Sequence, residues 1–454
     1  MGNSSSALNA SRDTASLDDL SHDSKIVIVG GGGTMGSSTA LHLARRGYKD
    51  ITILDVYPIP SDNSAGNDLN KIAGGGFRDT PIGELFPQII NGWKNDPVFK
   101  PYYHATGRVT GASTPEQVAG LKRAYEKAIE HGMGDLYEWL ETEEDIVRRA
   151  PHLAGTTIQG WKGLWSSDSG WVAARDAIDS VGRELVKLGV KMAFGPAGTF
   201  KEPILSKDRK TCVGVLTEDG TRYMADRVVL ATGAWSPSLV DLQGQCVSKC
   251  WVIGHLQLTD EEAERYKGIP VVYHETYGFF FEPHKVTKIM KLCNEFPGYT
   301  RYTKIRPFGG QETNLSVPRS HAAHPSDTMP TEGMDDIYRL IATLLPDLVG
   351  RELIDNRMCW CTDMPDGQWL FCPDPRWKNL YLATGDSGKS FHTIPFVGSV
   401  IADMLEGKLT EKQKTAWGWR PEKGDPDHIG RGGPEPKDLS EVPGWAHGDP
   451  EDQL

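Results

Sequence analysis

Eight residues near the start of the chain, Val29-Gly30-Gly31-Gly32-Gly33-Thr34-Met35-Gly36, have the types and spacing of a turn that receives a dinucleotide. In such a turn Gly31 and Gly33 let the backbone pass close to a pyrophosphate, and Gly36 lets the following helix pack on the sheet. The amides that open the helix, at Thr34 and Met35, then hold the phosphates. A glycine pattern of this kind is weak alone, but its surroundings make it specific. Lys25 to Val29 is a short β-branched run, Ser37 to Arg46 has helical apolar spacing closed by Gly47, and Asp50 to Leu54 is a second strand-like run. That run ends in Asp55, nineteen residues beyond Gly36, where an acid suits the ribose hydroxyls.

The turn does not separate FAD from NAD, because both use it. Two later segments help. Arg227 to Trp235 runs a buried strand into Thr232-Gly233, and Leu380 to Asp386 repeats the pattern into Gly385, with Gly388 close behind. Returning strands of one nucleotide-binding sheet have this form, and a late Ala-Thr-Gly is common where FAD lies extended across a sheet. These positions are expected to line the cofactor.

Seven cysteines are too sparse and odd in number for a disulfide framework. Cys246 and Cys250, separated by three residues, lack neighbouring histidines, and Cys359-Trp360-Cys361 is too tight for the usual zinc pair, so no metal is expected. With no run of about 18 apolar residues and no signal peptide, the reading is a cytoplasmic protein without an integral membrane segment. The chain ends Asp452-Gln453-Leu454, not in a peroxisomal Ser-Lys-Leu. Met1-Gly2-Asn3-Ser4-Ser5-Ser6 matches the short myristoylation pattern at Gly2, which would anchor only marginally.

The elements that must position these residues come from a chain of 454 residues, too long for one hydrophobic core. It is 38% hydrophobic and 24% charged, with 50 Gly and 29 Pro marking many tight turns. A formal net charge of -12 argues against a nucleic-acid or anionic-membrane surface and favours a small-molecule partner. The expected class is α/β, with a Rossmann-like FAD-binding domain interleaved with an antiparallel-sheet α+β substrate domain. Residues 1–24 read as a disordered lead-in, 25–100, 170–244 and 350–410 as the FAD-binding domain, 101–169 and 245–349 as the substrate domain, and 411–454 as a Pro/Gly-rich tail. Within these, 115 to 149 reads as helical and charged, and 171 to 189 as an amphipathic helix.

Several blocks resemble a known family. Ser64-Ala65-Gly66-Asn67-Asp68-Leu69-Asn70-Lys71, Trp93-Lys94-Asn95-Asp96, Phe99-Lys100-Pro101, Gly278-Phe279-Phe280-Phe281-Glu282-Pro283, Lys291-Leu292-Cys293-Asn294-Glu295-Phe296-Pro297-Gly298 and Cys359-Trp360-Cys361-Thr362-Asp363 resemble the fungal fructosyl amino acid and fructosyl peptide oxidases, or amadoriases. These belong with monomeric sarcosine oxidase in one group of FAD-dependent oxidases. The resemblance runs in order across residues 25 to 420.

It implies a set of roles. Cys359 would be bonded to the flavin ring's 8α carbon, for which a thiolate is the needed nucleophile, with Cys361 as the alternative. Lys291 matches the family's oxygen-activating lysine, a cation that stabilises negative charge as O₂ takes up electrons. Lys71 matches a second active-site lysine that supports flavin attachment and the substrate pocket, and Glu295 an acid that meets the polar part of the substrate. Ser390-Phe391-His392 departs from the family, which carries lysine where this chain has His392, a residue that contacts substrate. An imidazole still donates a hydrogen bond but is not reliably charged at neutral pH. The glycine-rich segment Ile72 to Arg78 departs as well. The arginine for a substrate carboxylate is left between Arg420 and Arg431.

The implied reaction is oxidation of a secondary amine's C–N bond: the amine gives a hydride equivalent to FAD, water hydrolyses the imine, and O₂ is reduced to H₂O₂. For an Amadori compound the products would be glucosone and an amino acid or peptide, and the enzyme is expected to be a monomer. Oxidation of an N-methyl amino acid, pipecolate or saccharopine is the nearest alternative, on the strength of His392. A flavin dehydrogenase with another electron acceptor, which Lys291 argues against, and a non-catalytic dinucleotide sensor complete the alternatives.

Overall fold

The computed structural model describes residues 20–74, 80–421 and 433–447. Gly2, most of the polar lead-in, the segment Gly75 to Arg78 and Arg431 lie outside the described residues. A six-stranded sheet is built in the order Leu370–Pro373, Leu380–Thr384, Arg227–Leu230, Lys25–Val29, Asp50–Leu54, Lys191–Ala193. All pairs are parallel except at the Leu370–Pro373 edge. Parallel strands of this kind are buried on both faces, which is why they read as continuous apolar runs. Ile26 and Ile28 pack on one face under helices Thr34–Arg45, Ala174–Lys187 and Ile394–Leu405, whereas Val27 and Val29 pack on the other with Leu380 and Leu382.

The second large sheet has ten strands and is mainly antiparallel. Its long strand Val247–Gln257 pairs with Ile289–Cys293 on one side and Ile354–Asp363 on the other. One face packs against helix Thr331–Leu344, burying Ile337, Leu340, Ile341 and Leu344 in a core separate from that of the parallel sheet. Among the described residues no helix is long and apolar enough to cross a membrane.

The sequence reading assigns residues 350–410 as one block to the cofactor-binding part; the structure divides it. Ile354–Asp363 joins the ten-stranded sheet, and the chain then crosses to supply Leu370–Pro373 and Leu380–Thr384 to the parallel one. A strand pattern records its own periodicity but not its pairing partner. Residues 115 to 149 are also less uniform than expected. Helix Pro115–Glu130 and helix Glu143–Arg149 each open on a capping box, at Thr114 and Thr142, with the strand Tyr137–Leu140 between them. The end of the chain closes over the body: Trp417 is fully buried in the core of the parallel sheet, and Lys437–Asp438 pairs with Tyr299–Thr300.

Helices Thr34–Arg45 and Ile394–Leu405 meet at Ser38 and Gly398, where the Gly398 amide donates to Ser38 Oγ at 2.9 Å. A Cβ added at Gly398 would stand 2.0 Å from the Ser38 carbonyl oxygen. Gly398→Val is expected to lower stability by about 2–3 kcal/mol through overpacking. A urea unfolding curve would show a reduced midpoint at unchanged slope, and an unchanged midpoint would contradict this helix contact.

Candidate active site

The register of the long strand Val247–Gln257 places Trp251 opposite Cys359, Ile253 opposite both Arg357 and Cys293, and His255 opposite Lys291. Side chains alternate across a strand, so Lys291, Cys293, Arg357, Cys359 and Cys361 share one face of the sheet. Their neighbours Met290, Leu292, Met358 and Trp360 turn into the core on the other face. The tightness of Cys359-Trp360-Cys361 is thus the period of a strand, with the tryptophan between two cysteines on the opposite side.

That face forms one wall of a cavity of about 1330 Å³. At one end the cavity is lined by Gly30, Gly33, Thr34, Met35 and Asp55, then by Thr232 and Gly233. At the other it reaches Lys71, Lys291, Glu295, Cys359, Gly388 and His392. Gly31 and Gly36 line no part of it. A Cβ on Gly31 would meet Ile53 Cγ2 at 2.0 Å and one on Gly36 the Gly30 carbonyl at 2.4 Å, so these two serve the packing of the turn on strand and helix. Gly385 is also off the cavity, turning the chain at φ 79°.

The residues present fit a bound flavin dinucleotide. Asp55, at the head of the cavity, accepts from the Gly32 amide at 2.8 Å and from Ser61 Oγ at 2.6 Å. Burial pushes its carboxyl up while those donors pull it down. Both amide atoms of Asn70, a fully buried side chain one residue before Lys71, lack a protein partner. Buried polar groups rarely go unpaired, and Asn70 lines no part of the cavity, so a buried water suits it as a partner.

Sequence reasoning missed the group that ties the lysines together. Asp68 Oδ2 accepts from Lys291 Nζ at 2.5 Å and pairs with Lys71 Nζ at 2.7 Å, and Arg357 stands 3.5 Å from Oδ1. Asp68 and Lys291 are each 1% exposed. Burial would push the Asp68 carboxyl up, but Lys291, Lys71 and Arg357 together hold it well below the usual carboxylate range. Lys71, which burial would push down, is instead raised by Asp68 and next by Cys359. Its Nζ donates to Cys359 Sγ at 3.7 Å, and Lys291 also donates to the Asn70 carbonyl at 2.8 Å. Burial drives His255, beside this cluster, down to about 4, with Arg357 acting in the same direction.

Glu295 lies half-buried on the cavity wall, hydrogen-bonded by the Tyr273 hydroxyl. Burial, then the Glu295 charge, raises that phenol. Trp251 Nε1 donates to the Glu295 backbone carbonyl at 2.7 Å, and Phe279 adds a second aromatic wall. His392 reaches the same cavity, and its backbone carbonyl accepts from Trp93 Nε1 at 2.7 Å. Arg420 does not: it is buried against Asp366 at 2.9 Å and the Gly418 and Trp369 carbonyls, away from the cavity lining. Among the described residues Cys361, Asp363 and Asp386 are the one group close enough to share a metal ion. The Lys249 ammonium already stands 2.9 Å from Asp363.

Residues 25–404 match the family model described as FAD dependent oxidoreductase. The chain belongs to that family. Among solved structures it is similar to fructosyl peptide oxidase from E. terrenum, at 49% identity over 94% of this chain and 99% of that one, with a TM-score of 0.91. It is also similar to the deglycating fructosamine oxidase Amadoriase II from Aspergillus fumigatus, at 34% identity over 94% and 98% of the two chains, TM-score 0.85. Among curated proteins, the L-saccharopine oxidase of Schizosaccharomyces pombe is 30% identical over 415 residues, 87% of this chain and 93% of its own. The protein is an FAD-dependent oxidase of the CH–NH class, as the resemblance read from its motifs implies.

Of the seven cysteines only Cys359 is not buried, and it opens on the cavity. Iodoacetamide is expected to alkylate the flavin-free protein first at Cys359, as located by peptide mass spectrometry, and FAD is expected to slow that reaction. Labelling that begins at a different cysteine would show that the cavity does not reach Cys359.

Proposed function

We propose that this oxidase deglycates fructosyl amino acids or fructosyl peptides, and that Cys359 carries its flavin covalently. The observation that carries the reading is the single cavity joining the nucleotide turn to the wall of Lys71, Lys291 and Cys359, in a chain so similar over its length to a fructosyl peptide oxidase. Bound FAD supplies the hydride acceptor and the electrons that reduce O₂. The chain's own groups bind and orient. Cys359 holds the ring in place, while Lys71 donates to its sulfur. Lys291 would present a buried cation on the wall that receives the flavin, to stabilise the negative charge that develops as O₂ is reduced. Glu295, with Tyr273, accepts hydrogen bonds from the polar part of the substrate, and Trp251 and Phe279 keep water from the reacting C–N bond. His392 donates to a sugar or carboxylate oxygen.

A second reading, oxidation of saccharopine or a related amine, is favoured by His392 and by the likeness to the saccharopine oxidase. Release of H₂O₂ from fructosyl-valine, fructosyl-lysine, sarcosine, pipecolate and saccharopine separates the two. Turnover is expected on a fructosyl compound, and silence on both would refute the first reading. The covalent link is tested by acid precipitation. The pellet is expected to stay yellow for the native protein and to lose its colour in Cys359→Ala.

A further inference from the structure

Asp68 carries none of the roles above, yet three cations of the site converge on it. Lys71 and Lys291 share its Oδ2, while the Leu69 amide donates to Oδ1 at 2.8 Å and Arg357 approaches the same oxygen. The backbone locks the residue in place: its amide donates to the Gly66 carbonyl and its carbonyl accepts from the Arg175 amide, both at 2.9 Å. It also stands between two cavities. The lysines line the large one, while Asp68, Arg357, Asp355 and His321 line a smaller one of about 310 Å³, and Cys359 borders both.

Two ammonium groups hydrogen-bonded to one buried oxygen are near neighbours in a medium that screens poorly. With the carboxylate gone, desolvation and mutual repulsion both favour loss of a proton from one of them. Among the described residues, no other group near the lysines replaces it. Asp355 is half exposed and already paired with Arg357, His255 is neutral at pH 7, and Cys293 is held protonated by burial. Arg357 adds a further positive charge, and Cys359 is the remaining neighbour.

We propose that Asp68 is a positioning residue: its carboxylate holds Lys71 and Lys291 side by side as two cations on the wall facing the flavin. The pairing is a property of the protein alone; only its consequence for O₂ rests on the oxidase reading.

Asp68→Asn keeps the shape and removes the charge. In the flavin-free variant a buried ammonium that has lost its carboxylate partner is expected to hold its proton less tightly than in the unfolded chain, where lysine titrates at about 10.4, so the variant's stability is recovered above that value and lost as pH falls. The gap in Tm between native protein and variant is therefore expected to be wide at pH 7 and to narrow toward about pH 10.5, where the variant's penalty fades while the native Lys71–Asp68 pair persists. A purely structural loss would leave the gap constant with pH. In the holoenzyme reduced with dithionite, reoxidation by O₂ is expected to slow about 100-fold at pH 7. No amine enters that measurement, so a wrong substrate does not affect it. Protein that binds no flavin refutes the oxidase reading and leaves the melting test standing. A pH-independent gap together with reoxidation within about threefold of native overturns the proposal. Should Asp68→Asn not fold, the double variant Asp68→Asn/Lys71→Met, with one competing cation removed, is expected to fold. Its failure would overturn the proposal as well.

Discussion

Lys71 and Lys291 stand on a wall from which water is largely excluded, and Asp68 makes their charge tolerable there. A lone buried ammonium costs several kcal/mol, enough to consume much of a domain's net stability. The arrangement answers this cost with a carboxylate reached by three cations and a backbone amide, drawn from three stretches of chain. Asp68 and Lys71 come from the segment that leads into and opens the short strand Lys71–Ala73, Lys291 from one strand of the antiparallel sheet, and Arg357 from another. The ion cluster is therefore also a joint. It ties the segment beneath the parallel sheet to the face of the ten-stranded sheet and closes the cavity between them.

The strand Ile354–Asp363 is the second element of that joint. It carries Arg357, Cys359 and Cys361 along the edge of the long strand Val247–Gln257, and within seven residues of its end the chain has entered the parallel sheet. A residue on this strand is held by hydrogen-bonded pairing on a rigid sheet rather than by a loop. That suits a cysteine expected to fix a ring at one distance from a lysine.

The groups proposed to meet the amine sit elsewhere on the cavity wall. Glu295 follows the end of its strand and is oriented by Tyr273 and by the Trp251 contact to its backbone. His392 lies on a short helical turn tied to Trp93 through its backbone carbonyl. If those roles hold, chemistry on strands and recognition on turns is a division that lets one redox site serve different amines.

Local pattern was enough for much of this protein. The glycine turn, the strand before it, the helix after it and Asp55 all lie within 31 residues, and each is decided by its neighbours in the chain. The alternation in Lys291 to Glu295 and in Cys359 to Cys361 likewise shows which residues share a face. It could not show which faces meet. The division of residues 350–410 between two sheets, the burial of Arg420 against Asp366, and the placing of Asp68 beside Lys291 all depend on contacts between distant segments. Asp68 and Lys291 are 223 residues apart in sequence. A carboxylate among polar neighbours in a loop looks like any surface acid, and its meaning arises only when folding removes the water around it. Charge pairing in a buried site is decided by proximity and desolvation, and both are properties of the tertiary structure rather than of the chain.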